Sequence, residues 1–215
     1  MDAFLELNEN LGNFSIEKKH IINLLKIAKT SCSLGVSRTH IVSGLFDGTL
    51  PCEIFSDLGS GTMIYQNNYG GIRTMEKEDI PAVLNLIRPF VEQGILLPRT
   101  EESLLQNYNE YIVYELDGGL KACAALHFYD DNQGEIAAVA VDSVCSHMGI
   151  GPKLISYLLN KAKENGLNSV FILTTQTSDW FEKLGFKNDV IESLPSERKK
   201  LWNSKRNSKV YRLEI

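Results

Sequence analysis

GEIAAVAVDSVCSHMGIGPKLISYLLNKAKEN, residues 134–165, reads as a buried strand, a tight glycine turn and an amphipathic helix in direct succession. Glu135 to Val141 is a short apolar run with one charge at its start, which suits a strand covered on both faces. Turn residues bound it: Asp130, Asp131, Asn132 and Gly134 before, Asp142 and Ser143 after. Leu154, Ile155, Leu158, Leu159 and Ala162 recur at spacings of three and four, the stripe of a helix that Gly166 ends. Pro152 falls in its first turn, where a missing N–H costs nothing. Gly149 and Gly151 let the backbone bend and approach a ligand, so the turn aims N–H groups at an anion where the helix begins. A dinucleotide-binding fingerprint needs a third glycine or alanine, but Lys153 and Leu154 follow Gly151. A P-loop needs Gly-Lys-Ser/Thr, which is absent.

The chain has 215 residues, enough for one domain with a sizeable core and a smaller unit. Hydrophobic content of 43% and charged content of 23% place it with soluble globular proteins. A net charge of −5 argues against general nucleic-acid binding. No apolar run is long enough to span a membrane, and the acidic N-terminus lacks the basic start of a signal peptide. Cys32, Cys52, Cys123 and Cys145 lie far apart and read as reduced thiols of a cytoplasmic protein. His20, His40, His127 and His147 are equally scattered, so no metal-ligand spacing exists.

Two segments follow from the pattern. Residues 1 to about 70 hold a helix N-capped by Ser15 with an apolar face of Ile21, Leu24, Leu25 and Ala28. A strand over Arg38 to Ser43, a short helix near Leu50 to Phe55 and a strand at Met63-Ile64-Tyr65 complete it, too few elements for a core of their own. From Gly70 onward the order is strand, two helices, three strands, helix, strand, short helix, strand. The strands lie at Ile72 to Thr74, Tyr111 to Leu116, Leu120 to Tyr129, Glu135 to Val141, Ser169 to Thr174 and Lys209 to Glu214. Asp79 is read as the cap of the first helix and Thr100 as that of the second. Asp117-Gly118-Gly119 is a hairpin turn. The expected fold is a mixed α/β sheet, mainly antiparallel, with one parallel crossover.

This order, with a glycine turn after the fourth strand and Trp180 to Phe186 (WFEKLGF) as a late helix ending in Gly-Phe, resembles the GNAT family of acetyl-CoA-dependent N-acetyltransferases. Within it, EQGILLPR (Glu92 to Arg99), GEIAAVAV (Gly134 to Val141), LTTQTSDWFEKLGF (Leu173 to Phe186), LPSERKKLWN (Leu194 to Asn203) and RNSKV (Arg206 to Val210) resemble the acetyltransferase domain of N-acetylglutamate synthases. The first segment, with VSRTHIVSG and LPCEIFSDLGSGTMI, resembles the end of an amino-acid-kinase domain, most of which the chain lacks. The implied division is a kinase-like remnant over residues 1–70 and a GNAT domain over 71–215. In arginine-regulated relatives the stretch matching Glu53 to Gly61 helps bind arginine; Glu53 and Gly59 carry over, and the rest of that site has no counterpart.

The resemblance implies attack of the α-amine of glutamate on the thioester of acetyl-CoA in a ternary complex, the first step of arginine biosynthesis. It puts the cofactor pyrophosphate on the backbone of His147, Met148, Gly149, Ile150, Gly151, Pro152 and Lys153. The pantetheine arm runs along Val139 and Val141, with the Val139 N–H as oxyanion donor. Glu135 is the implied general base, burial raising its pKa from about 4.3. Phe181 stands where many members have a tyrosine acid, so the implied hydroxyl for the leaving thiolate is Thr174. Arg99 and Arg206 are the carried-over partners for the substrate carboxylates. The family has Arg or Gln three residues before the first glycine, and here that position is Ser146, which predicts weaker cofactor affinity.

Taken as bare charge, Arg198-Lys199-Lys200 and Lys205 to Arg212 read as a solvated face. The expected partners are acetyl-CoA and a small-molecule substrate, without metal, nucleic acid or membrane. An exposed apolar helix face in the first segment implies association with itself or with a kinase-domain partner. Two other readings stay open: a GNAT enzyme for another amine, and a non-catalytic CoA-binding or regulatory subunit.

Overall fold

Ser15 accepts a hydrogen bond from the Lys18 N–H and opens helix α1, Ile16–Ser33. The computed structural model describes residues 15–56, 59–65, 70–129 and 131–215; the turn residue Asp130 lies outside them. The chain forms two compact units, Met1–Tyr69 and Gly70–Ile215. No described helix is long and apolar enough to cross a membrane.

In the first unit, β1 (Arg38–Ile41) and, after the short helix α2 (Thr49–Phe55), β2 (Thr62–Tyr65) pair antiparallel. Ala28 and Cys32 of α1 are buried with Ile64, and Leu25 and Ile41 pack around them. Ile21, expected on the apolar face, is 55% exposed. Two four-residue strands cover only the stripe of Leu25, Ala28 and Cys32. Glu53 of α2 organises the loop before β2: its Oε2 accepts from the N–H groups of Ser60 (2.6 Å) and Gly61 (2.7 Å), and its Oε1 meets Nδ1 of His40 at 2.6 Å. His40 and these amides hold the carboxyl below its ordinary range against the opposing effect of burial.

The second unit begins with β3 (Gly70–Thr74), α3 (Ile80–Glu92), α4 (Glu101–Asn107), β4 (Tyr111–Leu116), β5 (Gly119–Tyr129) and β6 (Gln133–Val141). It continues with α5 (Ile150–Glu164), β7 (Ser169–Thr174), α6 (Ser178–Lys183), β8 (Lys187–Asp189), α7 (Ser196–Lys200) and β9 (Lys209–Glu214). The sheet order is β3-β4-β5-β6-β7-β9-β8, and only β6 and β7 run parallel. The expected mixed, mainly antiparallel sheet is present. Asp117 and Gly118, both at positive φ, make the tight turn that sets β4 against β5. β8 and α7 were not expected: three and five residues are too short to show a period.

Five consecutive residues of β5, Ala122 to Leu126, are fully buried, so both faces of the sheet are covered there. α3 covers one face, packing Val83 and Ile87 with Val113, Cys123, Ala125 and Ala140. Ala122, Ala124 and Leu126 alternate to the other face, and α5 buries Leu154, Ile155, Leu158 and Ala162 against β5 and β6.

Asp79 stands at the N-cap position of α3 as expected, but its side chain makes no capping bond there. A capping box forms one turn earlier, where Glu76 accepts from the backbone of Asp79 and the Asp79 carboxylate accepts from the Glu76 N–H. Asp79 then holds Arg73 by two bonds, 2.6 and 2.9 Å, and Arg73 reaches Glu115 at 2.9 Å, tying α3 to β3 and β4. Arg73 lowers the Asp79 pKa. A lowered carboxyl pKa gives stability that is full above the unfolded value of about 4 and is lost as pH falls through the folded value. Asp79→Asn is therefore expected to lower the thermal midpoint at neutral pH, and the gap to the unaltered chain should close as pH drops below about 4.

Candidate active site

The parallel pair β6–β7 lasts for three residue pairs, Gln133–Ser169, Gly134–Val170 and Glu135–Phe171. Beyond them β7 keeps its other partner, β9, for its full length, while β6 stays with β5. The two strands part, and Ile136, Ala137, Ala140 and Val141 of β6 pair with β5 alone. A bulge accompanies the parting. Cys123 pairs with Ala140 but Ala125 pairs with Ala137, so β6 carries one extra residue, and Ala138 takes the left-handed φ of +51°. The Cys123 thiol, 3.5 Å from the Ala138 carbonyl, donates to it inside the core, where burial pushes its pKa up to about 12.

At the open end of the wedge, Asp142 caps a 3₁₀ turn over Ser143–Met148 by accepting from the Val144 N–H. Gly149 then adopts φ +66° and α5 begins with no side chain capping it. The first-turn N–H groups of Ile150 and Gly151 lack intrahelical acceptors and carry the positive end of the helix dipole. His147, Met148, Gly149, Pro152 and Lys153 are exposed, while Ile150 and Gly151 are buried. A Cβ at Gly151 would stand 3.0 Å from the Trp180 ring and 3.8 Å from Val141, so α6, the end of β6 and the glycine turn meet at this residue. Ser146 donates its hydroxyl to the Ser143 carbonyl at 2.8 Å, a bond within the turn.

Glu135 is 7% exposed and has partners that its sequence position does not disclose. Its Oε2 accepts from the Tyr129 hydroxyl at 2.9 Å and from Nε of Arg198 at 2.7 Å. Both bonds fall on one oxygen, which leaves Oε1 for an incoming group. Burial, and next the Glu135 charge, raise the Tyr129 pKa, so the phenol remains a donor. Arg99 donates from Nε to the buried Tyr111 hydroxyl at 3.1 Å, and Arg206 donates to the Ile95 carbonyl at 2.6 Å. Burial, then the charges of Arg99 and Arg198, hold the Arg206 pKa below its ordinary value, while Glu135 opposes them. The structure thus brings Arg99, Arg198, Arg206 and Glu135 into one electrostatic neighbourhood.

The basic stretch read as a solvated face is therefore wrong at three positions. Arg198 and Arg206 belong to this cluster, and Arg212 bonds Asp189, Gln133, Ser169 and Ser193 across the end of the sheet. Thr174 is buried, and its hydroxyl is engaged with Thr177, accepting from the N–H at 3.0 Å and lying 2.8 Å from the Thr177 hydroxyl. Phe181 is buried edge-on between Trp180 and Phe186. Sequence reasoning missed Arg198, Tyr129 and the Ala138 bulge. Tyr129 pairs with Gln133 and so shares a sheet face with Glu135 two residues on, a hairpin signal that marks the tyrosine; nothing local marks the arginine or the alanine.

Residues 79–186 match the Acetyltransferase (GNAT) family. An amino-acid acetyltransferase of Pseudomonas putida is 40% identical over 189 residues, 87% of this chain and 44% of that protein. The N-acetylglutamate synthase of Neisseria gonorrhoeae complexed with coenzyme A and L-arginine aligns at a TM-score of 0.77 and 33% identity, over 98% of this chain and 47% of that one. The same synthase complexed with coenzyme A and N-acetyl-glutamate aligns at 0.67 and 34% identity, over 98% and 49%. The chain spans about half the length of the curated relatives it matches.

With side chains only 12% and 9% exposed, Arg198 and Glu135 form a largely desolvated ion pair. Removing one partner strands the other, so Arg198→Met is expected to destabilise the fold by about 3 kcal/mol. Chemical denaturation of Arg198→Met, Glu135→Gln and the double variant should give a coupling of about 1–3 kcal/mol. Additive losses would show that the pair does not form.

Proposed function

The chain belongs to the GNAT acetyltransferase family, and on that premise we propose that it transfers acetyl from acetyl-CoA to the α-amine of L-glutamate by direct attack in a ternary complex, the first step of arginine biosynthesis. The observation that carries this reading is the gathering of three arginines around the buried Glu135 beside the β6–β7 split. Arg198 pairs with Glu135, while Arg99 and Arg206 donate to a neutral phenol and a carbonyl, so two guanidinium charges are available for the two carboxylates of glutamate. The Neisseria synthase solved with coenzyme A and N-acetyl-glutamate supports the same acceptor.

In this reading the open N–H groups at Ile150 and Gly151, with the turn from His147 to Lys153, hold the cofactor pyrophosphate. The pantetheine arm takes the place of the missing strand pairing along Val139 and Val141, and the Val139 N–H polarises the thioester carbonyl. Arg99 and Arg206 hold the glutamate carboxylates. Oε1 of Glu135 takes a proton from the substrate ammonium, while Arg198 and Tyr129 fix the carboxylate by its other oxygen. Phe181 has no proton to give. With its hydroxyl bound inside the turn, Ser146 adds nothing to phosphate binding, so backbone amides carry that task.

We read residues 71–215 as the acetyltransferase domain and residues 1–70 as the end of an amino-acid-kinase-like domain. Glu53 spends both carboxylate oxygens on His40, Ser60 and Gly61, which argues for a loop-organising role over arginine binding.

Release of CoA should be followed with acetyl-CoA and each of the twenty amino acids. Glutamate is expected to be the preferred acceptor. Glu135→Gln should cut kcat by about a hundredfold or more when assayed under conditions where the destabilised variant is folded. Arg99→Ala and Arg206→Ala should each cut kcat/KM for glutamate by about 30-fold. Turnover of another amino acid would reassign the acceptor, and bound CoA without turnover on any would make the chain a non-catalytic CoA binder.

A further inference from the structure

A base as buried as Glu135 needs somewhere to send the proton it takes. Its Oε2 already accepts from Tyr129 and Arg198. Regenerating the carboxylate in each turnover calls for a second acceptor that reaches solvent.

Register puts one beside it. His127 of β5 stands directly opposite Glu135 of β6, in an unbroken stretch of the ladder from Ala125–Ala137 to Tyr129–Gln133. Directly opposed residues share a face, with Cβ atoms about 4.5–5.5 Å apart. The imidazole is therefore within reach of the carboxylate, directly or through one water. Nδ1 of His127 is bonded to Oε2 of Glu110, in the turn Tyr108–Glu110 that leads into β4. These two side chains are 24% and 28% exposed, against 9% for Glu135, so the pair leads from the buried base to solvent.

A carboxylate on Nδ1 holds the ring proton there and leaves the Nε2 lone pair free, the arrangement that makes a histidine a base. Tyr111 of β4 meets the ring edge-on, with centres 6.1 Å apart, and Tyr129 lies two residues along the same face. The nearby cations have other partners: Arg99 donates to Tyr111, Arg198 to Glu135, and Lys161 of α5 to the Asn109 carbonyl beside Glu110. Burial, then Glu135, and further down Glu110 raise the Tyr129 pKa, so both carboxylates act on one phenol.

We propose that His127, held by Glu110, is the acceptor that takes the proton from Glu135 after each acetyl transfer. The inference rests on the acetyltransferase reading above. The substrate ammonium gives one proton to Oε1 of Glu135, its nitrogen bonds to the carbonyl carbon, and the C–S bond breaks with its electron pair going to sulfur. The second ammonium proton ends on sulfur, giving the CoA thiol. The proton on Glu135 passes to Nε2 of His127, while the Nδ1–H stays on Glu110, and then leaves from Nε2 to water. His127 acts through Glu135 and positions the outgoing proton without touching either substrate.

Turnover of acetyl-CoA and glutamate by the full chain should be compared for the unaltered protein, His127→Ala, His127→Gln and Glu110→Gln, with and without added imidazole, at temperatures where each is folded. His127→Ala is expected to lower kcat about tenfold or more while KM for both substrates stays within about twofold, and imidazole should recover a severalfold part of the loss. His127→Gln should show the same loss without recovery, because its side chain fills the space that imidazole needs. Glu110→Gln should lower kcat by about threefold or more. Nitrogen-15 NMR at alkaline pH, with the His127 signals assigned by their loss in His127→Gln, should show the Nδ1–H tautomer, a readout independent of any activity. An unchanged kcat in His127→Ala or His127→Gln, a loss expressed in KM, no recovery of His127→Ala by imidazole, or the Nε2–H tautomer would overturn the assignment. Absence of turnover by the unaltered chain on any amino acid would instead remove the acetyltransferase reading, and this assignment with it.

Discussion

Strands β6 and β7 are held together for three residue pairs and are then drawn apart, each kept by its own antiparallel neighbour. Neither neighbour can release its strand without losing a buried ladder, and the extra residue at Ala138 bends β6 further out of line. The wedge is thus enforced by the sheet around it. Backbone groups left unpaired inside a fold must find other partners. An extended ligand laid along β6 meets that need, and the uncapped start of α5 at the wedge mouth offers the same ligand a place for negative charge. Strand pairing and helix polarity, two independent features of the backbone, single out one place in the unit.

Electrostatics add the acceptor side. Burying a carboxylate is costly unless it is paired, and Arg198 and Tyr129 meet that cost for Glu135 through one oxygen while leaving the other available. Arg206 is disfavoured in its charged form by burial and by its positive neighbours, a tension that an anion bound there would relieve. The free protein is in this sense under-neutralised on one face of the sheet. Sites that bind charged ligands commonly store such deficits, because the ligand then gains where the empty protein is penalised.

Much of this was legible from residue order. The run Glu135 to Val141 and the stripe from Leu154 to Ala162 report period and burial directly, so strand, turn and helix fall where they were expected. Asp117-Gly118 announces its turn because the backbone demands positive φ there. What escaped was set by contacts distant in sequence. Asp79 has the type and place of a helix cap, yet its carboxylate serves Arg73 and the box at Glu76. Arg198 sits 63 positions from Glu135, and a run of basic residues gives no sign of which member turns inward. Ala138 is not a residue that marks left-handed backbone, so the bulge had no signature at all.

A crystal structure of the full chain grown with coenzyme A tests the central claim most directly. The account predicts the pyrophosphate on the N–H groups at Ile150 and Gly151, and the pantetheine arm along β6 from Val141 toward Val139 inside the wedge. Coenzyme A bound elsewhere, or β6 and β7 still parted with the arm outside the gap, would contradict it.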